Sequence, residues 1–237
     1  MICKLCLKEK KLCNSHVIPE LLYKPMYDKK HRSIEVQLDP LVKRYRQKGL
    51  SERLLCTECE GQFNGYETYF ANLWYHSDKR PRVVTEELVT IEGVDYTPFK
   101  LFHLSILWRA SISSLTEFDQ VSLGPHQERV RQLLLDEDPG ARDQYGILAR
   151  VLVDSNSGEL LEGALQMPTK CKMNGHHAYE WIFGGCSWLH VVSRWIPQDK
   201  TRYLFGPDGR LYLLRWYWKD HKPLVEFVQK YRQFSNK

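Results

Sequence analysis

Two Cys-x-x-Cys pairs, Cys3/Cys6 and Cys56/Cys59, are the residues whose type and spacing speak most directly of chemistry. Each pair lets two thiolates grip one ion from a tight turn, and two pairs complete the tetrahedral set that zinc prefers. They are expected to hold a structural Zn2+. Ser15-His16 lies between the pairs, and the second pair runs into a stretch where Phe63, Tyr66, Phe70 and Trp74 recur every three or four residues. Cys59 therefore sits at the mouth of a helix over 57–75. On it Glu60, Asn64 and Glu67 fall at i, i+4 and i+7, one face, where two carboxylates and an amide can converge on a cation. The same spacing also describes the solvated stripe of an amphipathic helix. Cys171, His176, His177 and Cys186 are too loosely spaced to be read as a second zinc site.

Several elements must position these groups. Residues 7–19 are expected to form a short hairpin leading out of the first knuckle, with 12–19 as its returning strand, ended by Pro19, which has no amide hydrogen to donate. A short helix opens at Pro19, and the polar stretch 26–50 is irregular apart from a helical piece over 40–46 stopped by Gly49. The pattern breaks around 77–82, which divides a zinc module over 1–78 from an accessory region over 79–237. The helix over 98–115 is apolar on nearly all sides and therefore buried, so its Arg109 needs a carboxylate, carbonyl or phosphate and reads as a structural clamp. A helix with Pro125 near its start covers 124–135. Strands follow over 145–153, 159–167, 178–183, 188–193, 202–205 and 210–218, with turns at Asn156-Ser-Gly158, Gly184-Gly185 and Pro207-Asp-Gly209. A helix over 222–233 closes the chain. Aromatic residues of these strands, among them Tyr179, Trp181, Trp188, Trp195, Trp216 and Trp218, suit either a core or stacking platforms for unpaired bases, with Trp216 and Trp218 assigned to the core.

The chain of 237 residues can bury a sizeable core, and no apolar run approaches the roughly twenty residues of a membrane span. The cysteine pairs suit a reducing, cytoplasmic setting with metal better than a disulfide framework. The net charge is +5, and between Lys24 and Arg53 nine Lys or Arg stand against four acids, so this segment carries the whole excess. A basic loop between knuckles attracts a phosphate backbone, and Lys29, Lys30, Arg32, Lys43, Arg44, Arg46 and Arg53 are the candidate contacts. A charge run of this kind is also what an ordinary solvated face carries.

Cys-x-x-Cys, then Ser15-His16-x-Ile18-Pro19, then Leu54-Leu55-Cys56-x-x-Cys59-Glu60 resembles the zinc-stapled branch of the HNH endonucleases, and bacterial HNH-like proteins found among phage-defence genes. The likeness covers about residues 3–70. It implies an α+β chain with a treble-clef, ββα-metal-like module followed by a helical and antiparallel β-rich region. It also implies one divalent ion, Mg2+ or Mn2+, and hydrolysis of nucleic-acid phosphodiesters, DNA in preference to RNA. By this resemblance His16 is the general base that deprotonates the attacking water, and an imidazole with an ordinary pKa near ~6.5 suits that role. Glu60 takes the place of the family's metal-binding histidine, and a carboxylate suits a hard ion. Asn64 and Glu67 then add ligands or orienters. Ser15 stands where the family commonly has an acid, and Ser51 where it has an asparagine. Two other readings remain open: a catalytically silent finger that docks nucleic acid or protein, and a subunit of a defence complex that binds a sensor or ATPase.

Overall fold

The computed structural model describes residues 1–38 and 41–235. Its amino-terminal part is built on strand β1, Leu12–His16, which pairs antiparallel not with residues 7–11 but with a distant strand. Between them run two 3-10 turns, Glu20–Leu22 and Lys24–Met26, and a two-stranded ribbon of β2, Ser33–Leu38, and β3, Leu41–Arg46. The partner of β1 is β4, Ser51–Cys56, which leads directly into helix α1, Thr57–Tyr75. The expected hairpin over 7–19 is thus replaced by a long-range pairing in which His16 faces Ser51 and Leu12 faces Cys56. The expected helical piece over 40–46 is corrected to strand β3; its first residue, Pro40, lies outside the described residues, as does Asp39. Val42 and Tyr45 mimic a helical step, but alternation across the ribbon decides the outcome: Ile34 pairs with Tyr45 and Val36 with Lys43 on one face, and Ser33 with Arg46 on the other.

The remaining chain adds a short strand β5, Leu88–Ile91, two helices α2, Tyr96–Ile112, and α3, His126–Leu135, then strands β6, Ile147–Val153, β7, Gln166–Met173, β8, His176–Phe183, β9, Cys186–Val191, and β10, Leu211–Tyr217, and finally helix α4, Lys222–Ser235. The six strands form one sheet in the order β5-β10-β6-β9-β8-β7. It is antiparallel except between β10 and β6, which run parallel. Of the expected strand over 159–167, Glu159 and Leu160 make only isolated bridges and Gln166 and Met167 open β7, and the expected strand over 202–205 is a turn that buries Leu204 and Phe205. The β8–β9 hairpin closes on Gly184-Gly185, both at positive φ as a tight two-residue turn requires.

Helix α2 is the centre of the molecule, buried continuously from Phe99 to Ala110. Phe102 stacks on Phe70 of α1 at 4.1 Å between ring centroids, and Phe99 lies 5.9 Å from Trp188 on the inner face of the sheet. One hydrophobic cluster therefore runs from Cys3 and Leu5 through α1 and α2 to Leu211 and Leu213, joining residues on both sides of position 78. At ~25 cal/mol per Å2 of apolar surface, rings buried this completely stabilise by about 2 kcal/mol or more each. Trp74 of α1 fastens the seam by donating its indole N–H to the Gly184 carbonyl at 2.8 Å. Tyr179, Trp181 and Trp188 are core residues, whereas Trp216 and Trp218 are only half-buried and Trp195 is 60% exposed. On the sheet's outer face Leu224 of α4 packs with Leu152 and Ile182. No helix among the described residues is long and apolar enough to cross a membrane.

Candidate metal centre and the histidine of β1

The sulfurs of Cys3, Cys6, Cys56 and Cys59 lie within 4.8 Å of one another. Four thiolates about 2.3 Å from a central zinc would stand about 3.8 Å apart, whereas a disulfide would bring two sulfurs to about 2.05 Å. Cys6 and Cys56 are 4.0 Å apart, and all four are free thiols. The set therefore fits a structural metal such as zinc. Its first knuckle is closed by the Leu7 amide on the Cys3 carbonyl at 2.9 Å, with Leu7 at φ 58°, and is held from outside by Arg131 of α3, which donates to the Leu5 carbonyl. The second knuckle is where β4 becomes α1.

Burial pushes the Cys3 thiol up, but the amides of Cys6, Cys56 and Leu5 outweigh it and bring the thiol down to about 7. The Cys56 amide lies 3.3 Å from this sulfur. Burial and the neighbouring Cys56 and Cys3 thiols push Cys59 well above the ordinary thiol range, and burial also raises Cys56. One thiolate is thus prepared by the backbone, while Cys56 and Cys59 gain a reason to ionise only when a cation arrives.

His16 ends β1 at the opposite end of the β1–β4 pair from Cys56, facing Ser51. Its Nε2 lies 3.5 Å from Oε2 of Glu20, and its side chain is 38% exposed. Glu20 is itself held by the Tyr27 hydroxyl, which donates to Oε1. The His16–Glu20 contact is longer than a normal side-chain hydrogen bond, and Oε2 of Glu20 is a buried oxygen without a hydrogen-bond partner. Sequence reasoning missed Glu20 as the partner, although its i+4 spacing from His16 was there to be seen. The main chain of His16 is fixed by Arg109 of α2, whose Nη1 donates to the His16 carbonyl at 2.7 Å. The same guanidinium meets Glu67 Oε1 at 2.9 Å and the Ser105 carbonyl and hydroxyl, both at 3.3 Å, and is 1% exposed. Arg109 is the structural clamp its buried position demanded.

The three candidates on α1 are placed differently from one another. Glu67 is engaged by Arg109, and Asn64 is exposed. Glu60 keeps one buried carboxylate oxygen, Oε1, without a hydrogen-bond partner. Such an atom is costly unless a donor or cation satisfies it, and Oε2 of Glu20 is in the same state. Among the described residues the cysteines are the one group of three or more His, Cys, Asp and Glu side chains whose ligand atoms converge closely enough for a metal. At two further positions where the HNH pattern has other residues, Ser15 is buried and its hydroxyl accepts the Leu55 amide at 3.1 Å, and Ser51 accepts from the Asn14 side chain at 2.8 Å.

The basic candidates divide as well. Lys29, Lys30, Arg44 and Arg53 are exposed. Arg32 is paired with Asp28 at 2.8 Å, and Arg46 is shared between Glu35 and Glu117, the latter at 2.7 Å. Arg46 therefore fastens the ribbon to the 3-10 turn Thr116–Phe118, and Lys43 stands 5.9 Å from the Tyr45 ring centroid. Compared with protein-family models, curated proteins and solved structures, the chain matches none.

Proposed function

We propose that the amino-terminal module is a zinc-stapled, treble-clef ββα unit of the HNH endonuclease type that hydrolyses nucleic-acid phosphodiesters. The single observation that carries this reading is His16: a half-exposed imidazole at the end of β1, backed by the Glu20 carboxylate and pinned through its own carbonyl to α2. The order β1, β4, α1, with the two knuckles at its base, supports the ββα assignment. In this reading His16 takes a proton from the attacking water while the nearby Glu20 carboxylate steadies the charge the ring acquires. A Mg2+ or Mn2+ ion, when bound, would polarise the phosphoryl oxygen and stabilise the leaving alkoxide. Glu60, with its uncommitted oxygen, is the first candidate to hold it, and Asn64 and Glu67 are the supporting candidates. The exposed cations of the ribbon and β4 attract the phosphate backbone, with DNA the preferred substrate, and bacterial anti-phage defence is the setting, through the family likeness. The test is cleavage of DNA and RNA by the zinc-loaded chain with and without Mg2+ or Mn2+. Metal-dependent cutting that His16→Ala abolishes, with the fold intact, is the expected result.

A second reading has its own observation. Glu67 is neutralised by Arg109, so the helix face offers less negative charge to a catalytic ion than its sequence promises. If neither nucleic acid is cut and His16→Ala binds as the parent does, the module is a silent docking subunit, and the sheet region is then the place for a sensor or ATPase partner.

A further inference from the structure

The ribbon carries a feature that the count of its charges does not contain. Tyr45 and Ile34 are directly opposite in the β2–β3 register, so they share a face. Both are open to solvent, at 55% and 45% exposure. The Arg32 guanidinium lies over the Tyr45 ring, 4.3 Å from its centroid. Arg32 does not wander there: Asp28 takes its Nη2 at 2.8 Å and its Nε at 3.1 Å, and also accepts the amides of Lys30 and Arg32, each at 2.9 Å. The same carboxylate thus folds the loop that carries Lys29 and Lys30, both exposed, just ahead of Arg32. On the opposite face Arg46 is taken up by Glu35 and Glu117, while Arg44 is exposed.

We propose that this outward face is a base-stacking ledge, on which Tyr45, steadied by Arg32, takes an unpaired base of a nucleic acid while Lys29 and Lys30 meet the flanking phosphates. The inference rests on the nucleic-acid reading above and names the class of substrate: single-stranded or locally opened DNA or RNA. A two-stranded ribbon can also enter a duplex groove, but reading base edges there takes a set of polar side chains. This face offers a phenol ring that is 55% exposed, with Arg32 at 4.3 Å and Lys43 at 5.9 Å from its centroid, and the exposed Ile34 opposite it. That is a surface for the flat of a base, which a stacked duplex does not present, together with charge for its backbone.

The test uses the full zinc-loaded chain carrying His16→Ala, with no added Mg2+ or Mn2+, so that binding is read without cutting. Fluorescence anisotropy compares oligothymidylate with the duplex it forms with oligoadenylate. Tyr45→Ala is expected to weaken single-strand binding about tenfold, the scale of one lost base–aromatic stack, with the duplex changed about twofold or less and Tyr45→Phe close to the parent. Lys29→Gln/Lys30→Gln, both at exposed positions, lowers the slope of log affinity against log salt by about 1.4 on the single strand, the signature of two lost phosphate contacts. Equal loss on both ligands, no loss on either, or a Tyr45→Phe defect as large as that of Tyr45→Ala overturns the ledge. Duplex cutting by the parent chain without single-strand binding sinks the ledge and leaves the nuclease standing. Tyr45-dependent binding without any cutting sinks the nuclease alone.

Discussion

Arg109 and Glu67 meet at 2.9 Å in the interior, and the other guanidinium nitrogen of Arg109 holds the carbonyl of His16. One buried cation thus ties α1, α2 and the end of β1 at a single point. A charge this deep is tolerated because a carboxylate, two carbonyls and a hydroxyl answer four of its five N–H donors.

Arg109→Met is therefore expected to cost about 3 kcal/mol, most of it from leaving the Glu67 carboxylate and the His16 carbonyl unanswered. Urea denaturation measures it. Adding Glu67→Leu should recover a large part, because the stranded charge goes too. A single variant as stable as the parent would mean that Glu67 turns to water instead.

Metal content is the second expectation. Native mass spectrometry should find one zinc per chain, and Cys59→Ser should lose it along with the β1–β4 pairing. Loading must expel protons from thiols that burial holds in the neutral form, Cys59 and Cys56, so affinity for zinc falls as the medium is made more acid. Competition with a chelator at two pH values reads this directly, and an affinity indifferent to pH would contradict it.

A third concerns His103 and His190, which share a hydrogen bond of 2.8 Å between Nδ1 and Nε2 in the middle of the core. Burial holds His190 down to about 3 and His103 well below its ordinary value, the latter also through His190. In the unfolded chain both titrate near about 6.5. Above that pH neither state takes up a proton and the pair contributes nothing to the slope. Below it the unfolded chain binds more protons, so stability falls with falling pH by up to about 1.4 kcal/mol per pH unit for each histidine, until the folded values are reached. His103→Leu/His190→Leu should flatten this acid slope in denaturant titrations. An unchanged slope would place the acid sensitivity elsewhere.

Glu20→Gln tests the histidine's support. The amide oxygen still accepts from Tyr27, but the charge that faces Nε2 is gone. Turnover is expected to fall by about 10- to 100-fold with KM little altered, since orientation and charge compensation act on the reacting state. An unaffected rate, or a matching drop in thermal stability, would remove Glu20 from that role.

Much of this architecture is written in local patterns. The cysteine spacing, the period of Phe63, Tyr66, Phe70 and Trp74, and the unbroken apolar run of α2 each announce their element without help from the rest of the chain. What local pattern does not hold is partnership. The pairing of His16 with Ser51 joins positions far apart in sequence, and nothing near His16 announces it. The segment Leu41–Arg46 misleads for a related reason: its two outward residues, Lys43 and Tyr45, only make sense once β2 lies beside them. Glu67 looked available on its helix face because its cation comes from α2, and Glu20 was passed over because one turn of backbone, not a motif, brings it to His16.

The chain leaves β1 at His16 and re-enters β4 at Ser51, two positions that are neighbours across the strand pair. Between them Val17, Ile18, Leu22 and Tyr23 join the core and Glu20 meets His16, whereas the β2–β3 ribbon contributes nothing to the set of four sulfurs. Such an arrangement is modular in the evolutionary sense. The ribbon can be lengthened, shortened or exchanged for another recognition head while the anchorage below stays as it is, so changes of target would be expected to accumulate in this cassette and to spare the base that carries it.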